Sequence, residues 1–235
     1  DIIVRKLEQF YTGINKSINL NGKIKMEHNT IESFIFRHPF TCMIAGPSKS
    51  GKTTLLKEII LNKDILISEP PQRIVYCYSR WQDNFDQLKK QLSFIEFVQG
   101  LPDIDMFDEK VNNLLILDDL MKECGKDNSI YDIFTIDSHQ KNISVFFLTQ
   151  NLFPKEKNAR TIRFNCNYII VLNNLRDRAQ IFYHARQMFP DNVNFMQECY
   201  NDAVESQPYG YLFLDFYMQI FIKGYLNFLL KNFFF

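Results

Sequence analysis

Charge of one sign is the first thing this sequence lacks. Its 235 residues carry 27 basic and 27 acidic side chains, so the formal net charge is zero. The totals show no broad basic face for nucleic acid and leave a local basic groove or pore open. Paired cysteines are also missing. Cys42, Cys77, Cys124, Cys166 and Cys199 are scattered with no C-x-x-C pair, which argues against a zinc or dithiol motif. Their odd number, with Cys42 and Cys77 inside apolar runs, predicts reduced thiols and an intracellular, non-secreted protein. No signal-peptide pattern opens the chain. Nor is there an uncharged span of 18 residues: Lys223 and Lys231 interrupt the aromatic tail over 217–235, so no stable membrane insertion is expected. The chain has no internal repeat and no linker rich in Pro, Gly or Ser, and one domain is the simplest count.

What is present starts at residues 46–54, GPSKSGKTT. They fit G-x-x-x-x-G-K-[ST], the pattern of a phosphate-binding loop. Gly46 and Gly51 let backbone approach an anion, and Pro47, Ser48, Lys49 and Ser50 complete the bend. Backbone N–H groups there can hold phosphate oxygens. Lys52 supplies positive charge for the β/γ-phosphates, Thr53 a hydroxyl for Mg²⁺, and Thr54 the next position of the helix that begins here. Context supports ATP binding over an ordinary Gly/Ser turn. Residues 40–45 form an apolar run that predicts a buried strand, and Leu55, Leu56, Ile59 and Ile60 recur at helical spacing over 52–62.

Further strands are predicted over 73–78, 94–98, 113–118, 142–150, 167–172 and 209–216, with helices over 84–92, 129–140, 175–188 and 191–204. The 113–118 run ends on Asp118 and is followed by Asp119. Beside a phosphate loop, a buried strand ending in a carboxylate supplies the second half of a metal site, with Asp118 on Mg²⁺ and Asp119 orienting the attacking water. The 142–150 run ends on Thr149 and Gln150, and the Gln150 amide can sense a γ-phosphate because it both donates and accepts. Trp81, just past the 73–78 strand, fits packing better than a base-stacking platform. His28 and His38 have no ligand spacing and read as surface or structural. Arg160, Arg163, Arg176, Arg178 and Arg186 are all open as candidates for serving a neighbouring subunit's phosphate. No arginine-rich lid pattern of a small-molecule kinase is present.

Taken together, HPFTCMIAGPSKSGKTT (38–54), IVYCYSRWQ (74–82), FVQGLPD (97–103), LLILDDLM (114–121), ISVFFLTQNLF (143–153), RDRAQIFYHARQMFP (176–190) and QPYGYLFLDF (207–216) carry a resemblance. The chain resembles the poxvirus-type genome-packaging ATPases of the FtsK/HerA class, encoded by Polinton/Maverick elements and adintoviruses. The resemblance covers most of residues 36–216. It implies an α/β, RecA-like P-loop NTPase: a three-layer sandwich with a mainly parallel central sheet. It also implies ATP hydrolysis with Mg²⁺, a homo-oligomeric ring, and movement of double-stranded DNA into a capsid alongside capsid or portal-like vertex proteins, in the host nucleus or cytoplasm. Residues 1–37 read as a lead-in packing on the sheet, 38–216 as the ATPase domain, and 217–235 as an atypical, poorly defined hydrophobic tail rather than a membrane-surface helix. Lys141 stands where relatives often carry Arg, and the tail departs from the family. These departures keep a second reading open: a nucleotide-binding relic or interaction module without turnover.

Overall fold

Apolar runs flanked by turn residues become strands in the computed structural model, which describes residues 17–19, 24–25, 35–81, 83–120, 123, 134, 141–152, 159–174, 186, 193–205, 208–217 and 220–225. Among these the strands are β1 (Ser17–Asn19), β2 (Ile24–Lys25), β3 (Thr41–Ala45), β4 (Arg73–Tyr78), β5 (Ile95–Gln99), β6 (Asn113–Asp118), β7 (Ile143–Thr149), β8 (Tyr168–Leu172), β9 (Gly210–Asp215) and β10 (Ile220–Tyr225). The helices are α1 (Lys52–Leu61), α2 (Lys63–Leu66), α3 (Asp83–Gln91), α4 (Ala159–Phe164) and α5 (Val193–Glu205). The helices expected over 129–140 and 175–188 fall almost wholly outside the described residues, as does His28. The chain divides into two compact units, one of Ile35–Ala45 and Ile59–Tyr168, the other of Asp1–Phe34, Gly46–Glu58 and Ile169–Phe235.

The first unit holds strands in the order β3-β7-β6-β4-β5, every neighbouring pair parallel. Every residue of β3, β6 and β7 is buried. Strands covered on both faces need apolar side chains at successive positions, which is why their sequences run almost continuously apolar. Phe36, on the lead-in side of residue 37, is buried in this core. It stacks on Phe40 at 4.9 Å between ring centroids and meets Phe146 and Tyr168 edge-on at 5.3 and 5.1 Å. α3 buries Phe85 and Leu88, a one-turn spacing that gives the helix its core-facing side.

At the amino-terminal ends of β3 and β7 a polar network replaces this packing. The His38 Nδ1 lies 2.6 Å from Ser144 Oγ and its Nε2 lies 2.8 Å from Asn142 Oδ1. The Phe40 N–H also donates to Ser144 Oγ, at 3.1 Å. The amide oxygen of Asn142 can only accept, so Nε2 carries the proton and Nδ1 accepts from the serine hydroxyl. His38 is therefore structural, and it is held neutral. Burial lowers its pKa below the ordinary 6.5, outweighing the opposing effects of Asn142 and the Glu69 carboxylate.

The second unit is ordered β2-β1-β10-β9-β8. Its β9–β10, β10–β1 and β1–β2 pairs are all antiparallel. Within this unit β1, from the lead-in segment, pairs with β10 and β2. The tail differs from expectation: six of its residues, 220–225, pair in register with the whole of β9. The turn between them is fixed by the Tyr217 N–H donating to Asp215 Oδ1 at 2.9 Å, an Asx-type contact in a stretch with no Gly, Pro or Asn. α5 lies against β9 and β10. Its Tyr200 hydroxyl accepts from the Asn174 N–H at 3.0 Å and donates to the Leu172 carbonyl at 3.3 Å, closing the carboxyl end of β8.

The His38 network makes stability depend on pH with a defined sign. Because the folded pKa is depressed, the unfolded chain binds more protons between the folded value and 6.5. The contribution is complete above 6.5 and is lost as pH falls from there through the folded value. Thermal unfolding midpoints should decline over that range, and His38→Gln should flatten this part of the decline. An identical decline in the variant would contradict the assignment.

Candidate functional site

The loop at 46–54 is shaped by backbone hand and by close approach. Lys49 and Gly51 have φ of 65° and 99°, in the left-handed region, with Ser50 between them of the ordinary hand. Alternation of this kind turns successive N–H groups toward one side and makes an anion-binding concavity. The Ser50 N–H closes a turn on the Pro47 carbonyl at 3.2 Å. Gly46 is required for space: a Cβ there would sit 2.7 Å from Ser50 Oγ and 3.0 Å from Leu172 Cβ. Leaving the loop, α1 begins at Lys52, and its first N–H groups have no acceptor within the helix.

Two side chains in the loop bear on what it binds. The Ser50 hydroxyl is buried and has no hydrogen-bond partner among the described residues. A buried hydroxyl without a partner is costly, and a phosphate oxygen would satisfy it. The Lys52 ammonium donates to the Gly46 and Pro47 carbonyls at 2.6 and 3.0 Å, lying back over the loop. Ser48, Lys49 and Thr54 are exposed, and Thr53 is half-buried. Beyond them Leu55, Leu56, Ile59 and Ile60 are all buried and anchor the helix.

The acidic half lies at the carboxyl edge of the first unit. β6 lies next to β7, and β7 lies next to β3. Ala45 is paired with Thr149 and Asp118 with Leu148, so these strands end nearly level. Adjacent strands are about 4.8 Å apart, which puts the ends of β3 and β6 two such spacings apart. Asp118 is 6 % exposed, and its Oδ2 accepts a 2.6 Å hydrogen bond from the buried Tyr76 hydroxyl. Burial, and then the neighbouring carboxylate, push the Tyr76 phenol well up, so it remains a donor. Asp119 is exposed with φ of 56°, and its N–H donates to the Leu148 carbonyl at 3.2 Å. The Gln150 amide donates to Asp119 Oδ2 at 3.1 Å. The carboxylate and the polar sensor named from sequence are thus partners. Tyr76 is the residue that sequence reasoning misses. The alternation in RIVYCY puts Tyr76 and Tyr78 on one face, but the register that brings that face to Asp118 is long-range.

Several other candidates find structural roles. Trp81 is 43 % exposed and meets Tyr78, Phe85 and Phe97 edge-on at 5.2, 5.5 and 6.0 Å, which is packing with one open side. Arg163 is buried in α4, its Nη1 3.4 Å from the Leu152 carbonyl and its guanidinium 5.1 Å from the Phe164 ring centre, so it is not presented to a neighbour. Arg160 and Arg186 are exposed, whereas Arg176 and Arg178 lie outside the described residues. Lys141 forms an ion pair with Asp105 at 2.7 Å. Cys42, Cys77 and Cys166 are free and buried. Burial pushes the Cys77 thiol up to about 12, far from a nucleophile's range.

Thr53 carries a hydroxyl oxygen and Asp118 a carboxylate oxygen, each of a kind that a hard divalent cation such as Mg²⁺ takes. Among the described residues no three His, Cys, Asp or Glu side chains converge on a metal position, so a cage built from protein alone is not present there.

No protein-family model and no curated protein sequence matches the chain. Solved structures do. The DNA-packaging ATPase B204 of Sulfolobus turreted icosahedral virus aligns at a TM-score of 0.54 and 14 % identity, over 80 % of this chain and 98 % of that one. B204 from Sulfolobus turreted icosahedral virus 2, solved with ATP-gammaS, aligns at 0.51 and 14 % identity over the same shares. The cytoplasmic domain of the type VII secretion ATPase EccC of Thermomonospora curvata aligns at 0.53 and 11 % identity, over 90 % of this chain and 28 % of that one. Identities this low speak to architecture alone, and the architecture is the α/β fold, with a mainly parallel sheet, that these ATPases have.

Proposed function

We propose that this chain hydrolyses ATP and uses the energy, as a homo-oligomeric ring, to move double-stranded DNA into a viral capsid. The observation that carries the reading is the parallel run β3-β7-β6 with level carboxyl ends. Gly46 follows Ala45 directly, and Asp118 closes β6. Open α/β sheets take their ligands at that edge. The unpartnered Ser50 hydroxyl in a loop of alternating hand favours a polyphosphate as the ligand. Likeness to B204, a DNA-packaging ATPase, favours DNA as the load and packaging as the setting. Polinton or adintovirus origin rests on the sequence resemblance alone.

In this reading the Lys52 ammonium leaves the Gly46 and Pro47 carbonyls for the β- and γ-phosphate oxygens. Thr53 and Asp118 would hold Mg²⁺, which would neutralise charge on those oxygens. Asp119 accepts a hydrogen bond from the attacking water and aims it at the γ-phosphorus. Gln150, donating to Asp119, fixes that carboxylate and stands where the γ-phosphate would arrive. Phosphoryl transfer asks little covalent chemistry of a protein, so positioning and charge account for most of the rate. Of the candidate arginines, Arg160 and Arg186 have the exposure to reach a neighbouring subunit. Capsid or portal-like vertex proteins are the partners a packaging motor would meet.

The second reading is a nucleotide-binding relic without turnover. Lys141, at a position where relatives often carry Arg, is engaged by Asp105 within the chain. One assay separates the two. A motor should hydrolyse ATP faster with double-stranded DNA, and Lys52→Ala should lower turnover by on the order of 100-fold. A folded wild-type chain that binds ATPγS but turns over no faster than Lys52→Ala is the relic. Gln150→Ala should lower kcat by about tenfold or more while ATPγS affinity stays within about twofold, the pattern of a contact made only in the transition state. Equal losses in both would assign Gln150 to binding instead.

A further inference from the structure

We propose that Tyr76 is a positioning residue for the metal–nucleotide site, acting through Asp118. The inference rests on the reading of Asp118 as a Mg²⁺ ligand and adds a residue to it.

The Tyr76 ring is fully buried in an aromatic group, 5.3 Å from Phe85 and 5.2 Å from Phe97 between centroids. Phenylalanine would fill that volume equally well, and this chain uses 23 of them. A hydroxyl carried into such a place costs free energy unless it is hydrogen-bonded. Its partner is Asp118 Oδ2, at 2.6 Å in the buried interior. The contact is diagonal: Tyr76 pairs in register with Ile116, and it is Tyr78 that lies opposite Asp118. Tyr78 is half-buried and is not the donor.

The bond has a consequence for any cation held by Asp118. A carboxylate at the end of a side chain rotates about its last torsion, and that freedom is lost when both oxygens must face fixed directions. A hydroxyl donated to Oδ2 from a rigid ring sets the plane of the group before the cation arrives. It also satisfies one oxygen of a carboxylate that is nearly out of reach of water. Outer partners of this kind commonly change metal affinity by about 10- to 100-fold when removed.

The test is calorimetric titration of the full chain with ATPγS, in saturating Mg²⁺ and in EDTA, for wild type, Tyr76→Phe, Asp118→Asn and the double variant. The Phe variant keeps the ring and its packing, and thermal melting verifies that it folds. Tyr76→Phe should reduce the gain in affinity that Mg²⁺ confers by about tenfold. Its affinity in EDTA should stay within about twofold of wild type. The double variant should match Asp118→Asn alone, because Tyr76 acts only through that carboxylate. Three results would overturn the proposal: an undiminished Mg²⁺ gain in Tyr76→Phe, an equal loss in EDTA, or a loss that adds to that of Asp118→Asn. A wild-type chain with no Mg²⁺ gain, or an Asp118→Asn variant that keeps the whole of it, would instead remove the metal site itself and the proposal with it.

Discussion

A carboxylate that is 6 % exposed at the end of a fully buried strand is the constraint on which the acidic half of this molecule depends. An isolated buried charge is costly, and it persists only where hydrogen bonds or an opposite charge compensate. Asp118 has the Tyr76 hydroxyl for one such bond. That bond requires β4 beside β6 in the observed register, and the register requires the continuous apolar runs that bury both strands. Fold and site are therefore specified by the same residues. Leu114 to Leu117 hold β6 in the core and thereby fix where its terminal acid lies.

The loop obeys a different constraint, that of backbone space. No side chain fits at Gly46, and left-handed φ at Lys49 and Gly51 bends the chain around a concavity. What the loop presents is then N–H groups, the buried Ser50 hydroxyl and the ammonium groups of Lys49 and Lys52, all able to donate. Such a surface selects for a polyanion. The acidic edge, with Asp118 and Asp119, has the opposite chemistry, carboxylate oxygens that suit a cation. In the proposed function a divalent metal serves both, which is why Mg²⁺ belongs to that reading.

Much of this was legible in the residues. The strand at 73–78 coincides with its predicted bounds, because Pro70 and Pro71 precede it, and the apolar run 114–117 lies in a strand that ends on the expected acid, Asp118. The loop motif needs fixed residue types at fixed spacing, so it can be read locally. β10 could not be read in this way. Its turn relies on Asp215 bonding to the backbone two residues on, and the aromatic tail shows no turn composition. Tyr76 and the left-handed Asp119 were equally hidden. Each depends on strands brought together from distant parts of the chain, which no local pattern records. The His38 network is a similar case, since the serine and asparagine it bonds lie 106 and 104 residues away.

The central claim is that loop and acids serve one ligand. A crystal structure of the chain with Mg²⁺ and ATPγS tests it most directly. The account predicts the Lys52 ammonium on the β/γ-phosphates, away from the Gly46 and Pro47 carbonyls, with the metal linked to Thr53 and, directly or through water, to Asp118. A nucleotide seated in the loop with its metal unconnected to Asp118 would contradict it.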